Sequence, residues 1–135
     1  MKTHNGFIQE LEAHEIFVFG SNLSGIHGAG AAKTARKWGA KMGVGEGLMG
    51  MTYGLPTVGK KIGNNLSVSK IQKHVDIFLQ CVNEHPTFNF LLTEVGCGLA
   101  GKTPEDIAPL FKEGNEFSNI VWPKSFVKIL KELSK

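Results

Sequence analysis

Short apolar runs alternate along this chain with apolar stripes spaced three and four residues apart, a rhythm that predicts strands interleaved with helices. Glu15-Ile16-Phe17-Val18-Phe19, closed by Gly20, has the β-branched and aromatic content of a buried strand. Ala31 to Trp38 predicts a short helix whose alanines allow close packing on a sheet, and Met51 to Leu55, ended by Pro56, a second strand. Ser67 can cap a helix that carries Ile71, Val75, Phe78, Leu79 and Val82 on one face. Phe88 to Val95 is apolar on both faces, as buried central strands are. Thr103-Pro104-Glu105-Asp106 combines a cap, a proline at the first helical position and acids in the first turn, which predicts a helix to about Lys112. Asn119 to Trp122 predicts a last strand and Ser125 to Leu133 a last amphipathic helix. Gly39 to Gly50 has no period, and Gly59 to Asn65 is a polar turn.

Such alternation implies one domain over residues 1–135 and an α/β fold, a mostly parallel or mixed sheet in a three-layer α/β/α arrangement. Sheets of this kind bind ligands outside the carboxyl ends of their strands. With 41% hydrophobic and 20% charged residues, the chain is able to bury a core. The formal charge of +3 is spread over scattered lysines, which points to an anionic small ligand and not to nucleic acid. Cys81 and Cys97 are too far apart for a CxxC pair, and neither a metal nor a cofactor site is expected. No apolar run reaches the ~18 residues of a membrane span, and a cytoplasmic chain is the expectation, with no membrane partner.

Glycine changes the picture. There are 17, where average usage of ~7% would give about nine or ten. They gather near the ends of apolar runs, where a backbone must turn or a ligand must approach it closely. One loop, Gly20-Ser21-Asn22-Leu23-Ser24-Gly25-Ile26-His27-Gly28-Ala29-Gly30, joins the first strand to a helix; another, Gly96-Cys97-Gly98-Leu99-Ala100-Gly101, joins the strand over 88–95 to the next helix. Both belong on the binding edge, where free backbone N–H groups and helix N-termini favour phosphate. Gly45 to Gly50 spells GxGxxG but lacks a preceding strand. Gly96 to Gly101 also spells it, between strand and helix, yet the strand that follows ends at Trp122 without the acid a dinucleotide fold needs. Gly28 to Thr34 imitates a P-loop but has Ala32 where glycine belongs before Lys33. A dehydrogenase and an NTPase are therefore both disfavoured.

Phe17-Val18-Phe19-Gly20-Ser21-Asn22, then Gly28-Ala29-Gly30-Ala31-Ala32, then Glu94-Val95-Gly96-Cys97-Gly98-Leu99-Ala100-Gly101, together resemble a small, divergent macrodomain, over about Glu15 to Trp122. The second loop is similar to that of the ADP-ribosyl-hydrolase branch, which reads glycine, cysteine, glycine, leucine. The resemblance implies a protein that binds ADP-ribose or an ADP-ribosylated substrate. Asn22 would hydrogen-bond the distal ribose and Gly28, Ala29, Gly30 and Ala31 would line it. Gly96, Cys97, Gly98, Leu99, Ala100 and Gly101 would hold the phosphates, and Trp122 would stand near the adenosine. Gly20, Ser21, Lys33 and Val95 complete the implied ligand-binding set. The hydrolase branch has an aspartate where Ala100 stands here, and Glu12 and Glu15 are the only acids close before Ile16 to replace the aspartate that reads adenine. Binding is thus better supported than catalysis.

His27 and Glu94 are the candidate catalytic groups: an imidazole in the first loop could act as general base, and a carboxylate beside the second could activate water. Each has a plainer reading, His27 as an ordinary loop residue and Glu94 as a cap on loop amides or a ribose contact. Cys97 at a helix start could be a thiolate, although Thr103 stands where a cysteine phosphatase carries arginine, and small size explains it better. Lys33 and Lys102 flank the loops as phosphate partners or as solvated charges. The alternative to an ADP-ribose protein, with or without hydrolysis of ADP-ribosyl groups or of ADP-ribose 1″-phosphate, is a non-catalytic nucleotide sensor or an RNA-binding module. RNA binding would call for exposed aromatics among several arginines, and Arg36 is the only arginine.

Overall fold

A computed structural model describes residues 1–61, 63–98 and 100–135. Six strands form one mixed sheet, and four α-helices pack on it. In chain order the elements are β1 (Lys2–His4), β2 (Glu15–Asn22), α1 (Gly30–Ala35), β3 (Gly47–Met49), β4 (Thr52–Val58), α2 (Val68–Glu84), β5 (Asn89–Leu92), α3 (Pro104–Ile107), β6 (Ile120–Pro123) and α4 (Lys124–Leu133). Across the sheet the order is β1-β6-β5-β2-β4-β3, parallel throughout except for β3, which runs antiparallel to β4 at one edge. No helix among the described residues is long and apolar enough to cross a membrane.

Successive residues of a strand face opposite sides of a sheet, and β2 uses both. Ile16 and Val18 join a large apolar cluster with α2, α4, Phe111 and Trp122. Phe17 and Phe19 join a smaller one with Ala32 and Ala35 of α1 and with Met49. β2 is thus a central strand buried on both faces, and the ends of β2 and β5 are fixed by packing on each side.

Several boundaries differ from the sequence expectation for identifiable reasons. β4 continues through Pro56, because β3 pairs no further along it than Gly54 and the missing N–H costs no ladder bond on that side. The helix expected to reach Lys112 is α-helical only over Pro104–Ile107 and then tightens into a 3-10 helix, Ala108–Glu116, since Pro109 cannot donate to the preceding turn. The helix over 31–38 likewise divides into α1 and a 3-10 turn at Arg36–Trp38. β5 ends at Leu92, not at Val95, so Glu94 lies on an exposed loop and not at the end of a buried strand. β1 and β3 carry no expected strand pattern; each has three residues and sits at a sheet edge.

Candidate functional site

β2 and β5 are hydrogen-bonded neighbours running parallel, with Glu15 opposite Asn89 and Val18 opposite Leu92. Both glycine loops consequently leave the same edge of the sheet. They touch: a Cβ added at Gly20 would lie 3.3 Å from the Gly96 nitrogen. Each loop supplies N–H groups that the fold does not use. Among the described residues the amides of Gly28, Ala29, Gly30 and Ala31, and those of Gly96 and Gly98, have no hydrogen-bond partner. Side chains at Gly28, Gly30 and Gly98 would project into open space, Gly28 meeting only the tip of Ile26 at 4.0 Å. These glycines leave backbone bare toward solvent, which is what a closely held anion requires. α1 has six residues and α3 four, so the loop amides, and not a helix macrodipole, supply the positive potential.

The first loop is braced from behind. The Asn22 carboxamide oxygen accepts from Ile26 N at 2.9 Å and from Ser24 Oγ at 2.8 Å, and its Nδ2 donates to the Ile26 carbonyl at 2.7 Å. One Nδ2 hydrogen is left for a ligand, and the rest of the side chain shapes the loop. Ser21, buried, donates to the Gly45 carbonyl. A side chain at Gly25 would collide with Gly43 and Val44, and one at Gly45 with Asn22, so these glycines let the segment over 39–46 pack against the loop.

Two expected ligand contacts are corrected. His27 is 0% exposed, its Nε2 lies 3.0 Å from the Lys41 carbonyl and 2.9 Å from that of Val44, and its ring meets Phe19 edge-on at 5.2 Å. It holds the segment over 39–46 in place and cannot meet a ligand from there, so the catalytic role foreseen for it is withdrawn. Trp122 is 1% exposed and packs on Phe111, because alternation along β6 turns it into the large cluster; it cannot stack on an adenosine.

In the second loop the thiol of Cys97 is pushed up to about 12, first by burial and then by Glu94, Asp106 and Glu105, so a thiolate is disfavoured there. Val95, Gly96 and Ala100 are buried, Gly98 and Gly101 are exposed, and Leu99 lies outside the described residues. The loop is closed on itself by Gly101 N to the Gly98 carbonyl at 3.0 Å and Lys102 N to the Gly96 carbonyl at 2.9 Å. Glu94 is exposed, and one of its oxygens accepts from Ser125 Oγ at 2.6 Å. Lys33 is exposed on α1, and Lys102 is half-buried.

Beside the loops opens a cleft of about 440 Å³, walled by His4, Asn5, Phe17, Ala31, Thr34 and Glu94 among others. Ala31 ties it to the first loop and Glu94 to the second. His4 pins its outer wall, with Nε2 at 2.6 Å from the Leu92 carbonyl and Nδ1 accepting from Gly6 N at 3.0 Å. Sequence reasoning missed this wall, since polar residues near a short edge strand carry no periodic signal. It also missed Thr57, which lies under both loops in the glycine-rich stretch after β4 begins; that glycine density was the available signal. Among the described residues no three of His, Cys, Asp and Glu gather as a metal site needs. Searches against protein-family models, curated proteins and solved structures returned no match, so the site stands on its own geometry.

Proposed function

We propose that this chain binds ADP-ribose, or the ADP-ribosyl group of a modified substrate, in the manner of a macrodomain. The observation that carries this reading is the pair of glycine loops on neighbouring parallel strands, each turning unused backbone N–H groups toward the same groove. A diphosphate has two anionic centres a few ångströms apart, and two adjoining sets of amides match them. The distal ribose lies along Gly28 to Ala31, beside the remaining Nδ2 hydrogen of Asn22; the phosphates lie on Gly96, Gly98 and Gly101. The adenosine enters the neighbouring cleft, where Phe17 and Ile8 offer apolar surface and Asn5, Thr93 and Glu94 offer polar contacts. Ala100 in place of the hydrolase aspartate favours binding over turnover. If ADP-ribosyl groups are hydrolysed, Glu94 is the candidate group that faces solvent.

Calorimetric titration tests the reading. ADP-ribose should bind the wild type, and Gly28→Val and Gly98→Val should each abolish binding while melting close to wild type, because both side chains would enter open space at ordinary backbone angles. Titrating a short RNA at two salt concentrations provides the opposing arm. RNA binding with a steep salt dependence, and no heat from ADP-ribose, would replace this reading with the nucleic-acid one.

A further inference from the structure

Where the two glycine loops meet, the groove has a threonine for its floor. Along the β2–β4 ladder Ser21 lies opposite Pro56 and Asn22 opposite Val58, so Thr57 is the extra residue of a bulge. A bulge re-aims a side chain that regular pairing would leave in the pleat. Thr57 is thereby placed against both loops: a Cβ at Gly20 would lie 3.4 Å from its Oγ1, and a Cβ at Gly96 would lie 3.5 Å from its Cγ2. The residue is 2% exposed.

Its hydroxyl is left without a partner among the described residues. The other buried or half-buried threonine hydroxyls along the sheet are spent, Thr52 Oγ1 donating to the Met49 carbonyl at 2.6 Å and Thr93 Oγ1 to the Val18 carbonyl at 2.7 Å. Buried polar groups are nearly always hydrogen-bonded, so an unspent one calls for a reason. The only fully enclosed side-chain nitrogen or oxygen lacking a partner among the described residues is His27 Nδ1. It follows that the Thr57 hydroxyl meets the solvent of the groove, between the unused amides of Gly96 and the first loop.

We infer that Thr57 is a ligand-binding residue whose Oγ1–H donates to a diphosphate oxygen at the junction of the two glycine loops. This rests on the ADP-ribose reading and adds a side-chain donor to a grip otherwise made of backbone. The methyl group packs under Gly96 and sets the hydroxyl toward Gly20. A hydroxyl that replaces water on a phosphate oxygen makes a hydrogen bond to a charged group, the stronger kind.

Two substitutions separate the hydroxyl from the methyl. Thr57→Val keeps the shape and removes the donor, whereas Thr57→Ser keeps the donor and removes the methyl. Titrated with ADP-ribose and with ADP, Thr57→Val should bind each about tenfold or more weakly than wild type, with an unchanged or raised melting temperature. Thr57→Ser should bind within about threefold of wild type even if it melts lower. Wild-type affinity in Thr57→Val, alongside loss of binding in Gly28→Val and Gly98→Val, would overturn the role of Thr57 and leave the ADP-ribose reading standing. Equal losses in Thr57→Val and Thr57→Ser would also overturn it, by showing that packing and not the hydroxyl matters. Should Thr57→Val not fold, weakened binding in a folded Thr57→Ser would count against the inference in the same way. A wild type that binds neither nucleotide removes both readings together.

Discussion

His27 illustrates how position in sequence misleads about position in space. It is flanked by glycines in a loop that faces the groove, yet the chain turns its ring inward against Phe19, with Nε2 between the carbonyls of Lys41 and Val44. Truncation to alanine removes a buried ring and strands its partners. Large-to-small changes at such sites typically cost ~2–5 kcal/mol. His27→Ala should therefore lower stability by about 2–4 kcal/mol in urea unfolding, while the folded protein keeps ADP-ribose affinity within a few fold. Unaltered stability together with lost binding or turnover would restore His27 to the ligand. The glycines of this region divide by the same reasoning. Gly25 and Gly45 are small because backbone crosses them, and Gly28 and Gly98 are small with nothing in the structure against them. Sequence density alone gave these two kinds one appearance, since the clash that distinguishes them comes from residues about twenty positions away.

Elements were legible where local chemistry agreed with packing. The stripe Ile71, Val75, Phe78, Leu79 and Val82 is the buried face of α2, and Ser67 caps it by accepting from Lys70 N. Thr103 and Asp106 form a reciprocal capping box ahead of Pro104, as their spacing implied. Because α3 has only one α-turn before Pro109 forces the 3-10 geometry, that cap supports a larger share of its element than Ser67 does of α2. Thr103→Ala should cost about 1 kcal/mol by denaturant titration, and the second glycine loop, which runs directly into this cap, should weaken its hold on ADP-ribose as well. A stability change below a few tenths of a kcal/mol would show that the box is incidental. What could not be read was anything that depends on a distant partner: β1 exists because β6 lies beside it, and β3 because β4 does. The N-terminal wall of the cleft was hidden for that reason, while both loops, set by their own glycines, were visible.

At the scale of the whole molecule, the two thiols tie stability to alkaline pH. Burial pushes Cys81 up to about 11, with Glu84 adding to it, and Cys97 up to about 12. In the unfolded chain both titrate near the ordinary ~8.5. Below that value each thiol is protonated in both states and contributes no pH dependence. Above it the unfolded chain loses protons that the folded one keeps, so stability falls from about pH 9 toward the folded values. Melting temperature measured from pH 7 to 10.5 should decline more steeply above pH 9 in the wild type than in a Cys81→Ala/Cys97→Ala variant. Parallel curves would show that the thiols are not held neutral by the fold.

The pairing of Lys2–His4 with Val121–Pro123 has a consequence for when and how the two halves of the site come into being. Every residue of the glycine loops and Thr57 precedes Lys102 in the chain, whereas the cleft needs His4 and Asn5 set beside Pro123 and Ser125. A chain growing from its first residue thus completes the phosphate grip before it can complete the pocket for the base, and β1 waits unpaired until the last strand is made. The same order holds in reverse for the finished protein. β1 is an edge strand held by three residue pairs, so it can peel away without disturbing either apolar cluster, and such fraying costs far less than global unfolding. The cleft therefore has a breathing wall on a rigid floor. A nucleotide can leave its phosphates anchored while the base comes and goes, and a tether or partner that clamps the first strand would tighten binding without touching the ligand.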